Sequence, residues 1–168
     1  RGNGEFYMDY ADYDLAITAP EGYIVRATGV LQNPAEVLTE RALDRLDAAL
    51  ETREIVHVVD AEDLDRGEAT KTSASGQLTW QFHAENVRDA AVSLGKTYVW
   101  DATHAVVKDK HGPGADGVCM IHAVYETNSG DWVRGAEYAR HTIEYMSEMV
   151  YPYPWPHMTA CEGVIGGG

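Results

Sequence analysis

Apolar and polar positions alternate from Glu5 to Thr18 (EFYMDYADYDLAIT), with a break around Ala11-Asp12. A period of two predicts two half-buried strands there. Pro20-Glu21-Gly22 is a turn signal, and Tyr23 to Gly29 (YIVRATG) predicts the next strand. At Asn33-Pro34 the period changes. Asn33 suits an N-cap that accepts orphan amides, and Pro34 suits the first helical position. Val37, Leu38, Leu43, Leu46 and Leu50 then recur at helical spacing, predicting one amphipathic helix through Thr52 laid over the strands.

Ile55 to Val59 predicts a short strand, and the acidic, then Thr-, Ser- and Gly-rich run from Asp60 to Gly76 predicts an exposed loop. Leu78 to Ala84 alternates again as a strand. Asn86 to Leu94 fits either a last strand or a short helix. Tyr98 to Val107 and Val118 to Tyr125 are apolar strands, separated by the Lys108-Asp-Lys-His-Gly-Pro-Gly turn. A second helix opens at Asn128-Ser-Gly-Asp, with Asp131 or Ser129 as cap. Its expected buried stripe is Val133, Ala136, Tyr138, Ala139, Ile143, Met146 and Val150. The prolines from Tyr151 to Pro156 enforce an extended run, and Met158 to Ile165 suits a short strand that leads into Gly166, Gly167 and Gly168. Glycine there permits close approach of backbone to a ligand. The fold class is therefore mixed α and β with mostly antiparallel sheet, and a change of unit is expected near Ser93 to Lys96. A strand running into a glycine loop calls for a continuation, so the chain is expected to be a segment of a larger protein.

Composition narrows the function classes. The chain has 168 residues, 45% of them apolar, enough for a real core. A formal net charge of −14, from 27 acidic and 13 basic residues, argues against nucleic-acid phosphates as partners. The acids are spread along the chain, as on a solubilising surface. No run of about 18 apolar residues predicts a membrane span, and the compartment is left open. Cys119 and Cys161 lack C-x-x-C spacing, which suits buried thiols better than a metal knuckle or disulfide scaffold.

No complete catalytic set is expected within these residues. None of the seven histidines sits in H-E-x-x-H. His104, His122 and His111 form the one local cluster with metal-ligand character, against the commoner role of hydrogen-bonded strand histidines. His83 and Glu85 share a strand face, and His141 and Glu144 lie one turn apart; both patterns suit solvated faces. There is no G-x-S-x-G elbow and no phosphate-binding loop. Trp80, Trp100 and Trp132 fall in core patterns, while Trp155, between prolines, is the exposed-ring candidate.

The ordered segments resemble the aminopeptidase-N-like zinc metallopeptidases of the gluzincin clan, nearest a bacterial branch. The residues that carry the resemblance are Tyr23 to Gly29 with Leu31-Gln-Asn-Pro34, Thr79 to Asp89 (TWQFHAENVRD) and Tyr98-Val-Trp-Asp-Ala102. Ala139 to Tyr145 (ARHTIEY), Tyr151-Pro-Tyr-Pro and Glu162 to Gly168 (EGVIGGG) complete it. The resemblance implies that residues 1–94 are the end of an N-terminal β-domain. It implies that 95–168 are the first strands and helix of a thermolysin-like catalytic domain. It also implies that Gly166, Gly167 and Gly168 open the substrate-binding loop for a peptide held by its N-terminus. The zinc ligands would lie beyond, leaving no catalytic residue, metal ligand or cofactor within this segment. A segment lacking its neighbours is expected to self-associate through exposed sheet edges. The alternative is a self-contained β-rich binding or scaffold module whose tyrosine and tryptophan surface engages carbohydrate or protein.

Overall fold

The computed structural model describes residues 9–163. In chain order its strands are β1 (Ala11–Pro20), β2 (Ile24–Ala27), β3 (Val30–Leu31), β4 (Val56–Val59), β5 (Gln77–Val87), β6 (Val92–Gly95), β7 (Tyr98–Val107), β8 (Gly117–Glu126) and β9 (His157–Cys161). The helices are α1 (Pro34–Val37), α2 (Glu40–Glu51), α3 (Ala61–Arg66) and α4 (Gly135–Met149). Three sheets result: β1-β5-β3, β2-β6 and β4-β7-β8-β9. All ladders are antiparallel except β8 with β9, which α4 joins as a crossover. The chain is thus mixed α and β with mostly antiparallel sheet, as expected.

Side-chain alternation sorts the core. Along β5, Leu78, Trp80, Phe82 and Ala84 turn inward and their neighbours outward. The four-stranded sheet is covered on both faces. Trp100, Ala102 and Val124 join the core formed with β2, β5 and the first two helices, while Ala105, Cys119, Ile121, Ala123 and Tyr125 pack with α4. Cys119 and Cys161 belong to these opposite sides and are both free thiols. Burial pushes the Cys119 thiol up to about 12.

Several expectations need correction. Asp9 and Tyr10 precede β1 without strand structure, and the rest of the strand expected before Ala11 lies outside the described residues. The helix expected from Pro34 to Thr52 is two helices. Leu38 is extended, with ψ 146, and Thr39 restarts the chain as N-cap, accepting from the Ala42 amide at 3.3 Å. Asn33 holds the N-cap position of α1, but its side chain makes no cap bond: its amide donates to the Thr79 carbonyl and its oxygen accepts the Gln81 amide, so it ties α1 to β5. The break also shifts the buried face of α2 to Ala42 and Ala49 and leaves Leu50 exposed. Thr39→Ala is expected to lose about 1 kcal/mol of stability. A urea midpoint equal to wild type would show that this cap contributes nothing.

The loop expected from Asp60 to Gly76 contains α3. Asp60 and Asp63 cap one another reciprocally, and Gly67 closes the helix in the left-handed region at φ 70. Arg45 binds both acids, at 2.6 Å to Asp63 and 3.1 Å to Asp60. The run from Asn86 to Leu94 resolves to the end of β5 followed by β6. The second helix begins at Gly135, because Ser129 donates its hydroxyl to Glu162 instead of capping, and Gly130–Trp132 forms a separate 3-10 turn. On α4 the buried positions are Ala136, Ala139, Ile143 and Ser147; Val133, Tyr138, Met146 and Val150 are exposed.

Candidate functional site

A cleft of about 1140 Å³ lies between β2, the end of β5, β6 and the segment from Tyr153 through β9 to Gly163. Its inner end is built on one charge. Arg26 interrupts the apolar run of β2, and every residue of that strand is buried. The guanidinium stacks over the Trp100 ring at 4.7 Å and the Phe82 ring at 5.6 Å from the centroids. Arg26 is 2% exposed and, among the described residues, has neither an ion pair nor a hydrogen-bond partner at Nε. Burial lowers its pKa to about 10, with Cys161 acting weakly in the opposite direction. It still carries its charge at neutral pH.

His157 opens β9 on the opposite wall. Its Nε2 accepts the Gly29 amide at 3.2 Å. That amide can come so close because Gly29 has φ 105 and a Cβ there would sit 2.6 Å from the His83 carbonyl oxygen. Burial, then the positive charges of Arg26 and Lys110, push the imidazole down to about 4. The ring is therefore neutral, with its proton on Nδ1, and Nδ1 has no partner among the described residues. Thr159 follows two positions along β9, and its buried hydroxyl is likewise unpartnered. Arg26, His157 and Thr159 all line the cleft. His122 lies opposite Thr159 in the ladder, accepts Trp100 Nε1–H at 3.1 Å, and is held well below the usual histidine range by burial and by Arg26.

The rest of the cleft is apolar, with Trp155, Val87 and Val92, while Tyr153 and Met158 border it but pack into the core on the α4 side. Trp155, the expected exposed ring, is half-buried and donates to the Asn86 carbonyl. Among the described residues two acids reach the lining, both engaged. Glu85 meets His83, and Glu162 accepts from Ser129 and the Glu126 amide. Burial raises the Cys161 pKa, so its thiol stays protonated at neutral pH and is a poor nucleophile. The inner cleft therefore presents unmatched donors rather than a catalytic pair.

The residues singled out in the sequence fare differently. Gly166, Gly167 and Gly168 lie outside the described residues. His104, His111 and His122 do not converge: His104 contacts the Ala49 carbonyl at 3.0 Å, His122 bonds Trp100, and His111 sits exposed in its turn. His83 and Glu85 do meet, together with Asp14 at 2.7 Å; the Asp14 contact chiefly raises the His83 pKa. Glu144 turns from His141 to a two-pronged pair with Arg53 at 2.8 and 3.0 Å. Among the described residues, no three His, Cys, Asp or Glu side chains are grouped to hold a metal ion. No helix among the described residues is long and apolar enough to cross a membrane. Sequence inspection missed Arg26, His157 and Thr159, although a lone arginine inside YIVRATG is itself a signal. It also missed the buried Asp101, which takes the Tyr125 hydroxyl at 2.8 Å and His57 Nδ1 at 2.5 Å.

Comparison with known proteins adds no family: no family model matches the chain, and neither a curated protein nor a solved structure does.

Proposed function

We propose that this chain forms one wall of the substrate cleft of an aminopeptidase-like zinc metallopeptidase, with a peptide lying along β9. The observation that carries the proposal is the place of β9. It is the outer strand of its sheet, paired to β8 on one side and with no strand on the other among the described residues, and it borders the cleft. An extended peptide can add to such an edge through main-chain hydrogen bonds, with neighbouring apolar walls selecting its side chains. In this proposal residues 1–94 end a β-domain, residues 95–168 begin the catalytic domain, and Gly166, Gly167 and Gly168 continue the gripping edge. The described donor sets do not suit zinc, so the metal and its general base are assigned to other residues and no chemical step is routed through this wall. Free edges at β1 and β9 are the proposed routes of self-association.

One observation favours a second function. Tyr138, Tyr145, Met149 and Tyr151 stand exposed on and just after α4, as on a protein-binding module. Hydrogen exchange with an extended apolar tetrapeptide amide separates the two. Cleft-wall function predicts that amides from Met158 to Glu162 exchange about tenfold more slowly with peptide present. Unchanged exchange along β9, or protection confined to α4, would defeat it.

A further inference from the structure

We propose that the inner end of the cleft is a binding site for a carboxylate attached to an apolar body, with the guanidinium of Arg26 as its anchor. This site is independent of the peptidase proposal, since it needs neither zinc nor the glycine loop. Three buried hydrogen-bonding groups that line one cleft lack partners among the described residues: Arg26 Nε, His157 Nδ1 and Thr159 Oγ1. Native proteins rarely leave such groups unmatched, because each orphan retains the cost of its lost water. All three can donate. Arg26 cannot accept, the His157 proton is fixed on Nδ1 by the Gly29 amide at Nε2, and a threonine hydroxyl rotates freely. Unpartnered donors lining one cleft with an uncompensated positive charge call for an oxyanion.

The class of anion follows from what surrounds it. A planar carboxylate takes paired N–H groups from a guanidinium and has lone pairs left for a hydroxyl and an imidazole N–H. A phosphate carries more charge than one guanidinium offsets. Among the described residues no lysine lines the cleft, and its second guanidinium, Arg88, lies over the Tyr10 ring, while Glu85 and Glu162 also line it, so a second negative charge would be repelled. The Trp155 ring with Val87 and Val92 then suits an apolar body outside the carboxylate. The Cys161 thiol does not fill the anion's place, since burial keeps it protonated.

The test uses the full chain and N-acetylphenylalanine, titrated at neutral pH by calorimetry, beside its uncharged amide and inorganic phosphate. The carboxylate is expected to bind saturably, the amide and phosphate roughly 30-fold or more weakly, as expected when a buried charge loses its partner. Arg26→Met, which keeps the apolar stem against Trp100 and Phe82, is expected to abolish the preference for carboxylate over amide and to melt no lower than wild type. Thr159→Val provides a second reading if Arg26→Met does not fold, with a several-fold loss of carboxylate affinity and no change for the amide. Equal binding of carboxylate and amide by the wild-type chain would overturn the proposal, as would tighter binding of phosphate or no saturable binding. An unchanged carboxylate preference in Arg26→Met would overturn it as well.

Discussion

Trp100→Ala is expected to destabilise the fold by about 3–5 kcal/mol, the largest effect of any single truncation near the cleft. Trp100 is fully buried on β7, and its loss removes three things together. The cavity it leaves lies where the four-stranded sheet meets β2 and β5. The Arg26 guanidinium loses the nearer of its two rings. His122 Nδ1 loses the indole donor at 3.1 Å and becomes a buried acceptor without a partner. Trp100→Phe separates these contributions. It keeps an aromatic face under Arg26 but deletes the N–H, and it is expected to cost less than the alanine variant. Urea unfolding followed by circular dichroism reads both. A Trp100→Ala loss below about 1 kcal/mol would show that the sheet and the cleft floor are not packed through this ring.

Acid is expected to act on the same region before it reaches the carboxylates. His157 titrates near 4 in the fold, against about 6.5 in an unfolded chain, and His122 is shifted the same way. The unfolded state therefore binds more protons between these values, and stability falls as pH falls through that window. The stabilisation that keeps His157 neutral is fully present above about 6.5 and is lost progressively down to about 4, amounting to roughly 3 kcal/mol. His83 has the opposite sign, since its raised pKa contributes stability that is lost on going alkaline, but it is a surface pair and screened. Unfolding midpoints in urea should drop steadily from about pH 7 to about pH 4.5, and His157→Gln should flatten part of that slope. A midpoint constant across the window would show that His157 and His122 are hydrated rather than buried.

The elements legible in the sequence were those whose apolar period has one explanation. β5, β7 and β8 match the expected runs closely because both faces of β7 and β8 are covered and β5 alternates without interruption. The helix break at Leu38-Thr39 was hidden, since Val37 and Leu38 extend a helical spacing that belongs to two different helices. For α3 the signal was present and overridden by composition: Asp60 and Asp63 as reciprocal caps and Gly67 as terminator stand in an acidic stretch that otherwise reads as loop. Trp155, His83 and Glu85 were noticed one by one, but the cleft they line was not. Arg26, His157 and Thr159 come from strands separated by most of the chain, and only the parallel seating of β9 brings them to one place. No local spacing encodes that meeting.

That seating has a kinetic consequence. β9 can join β8 only after the connection between Glu126 and His157, α4 included, has been ordered. Its few ladder bonds must repay the entropy of closing that long excursion, whereas β7 and β8 meet across the much shorter connection from Lys108 to Asp116. The hairpin should therefore set early and β9 dock late, and by the same balance β9 is the first to detach in partial opening. The donors gathered around Arg26 would then exist as a group only in the last-formed, most easily released layer of the molecule, and whatever binds them would act as the clasp that holds the layer shut.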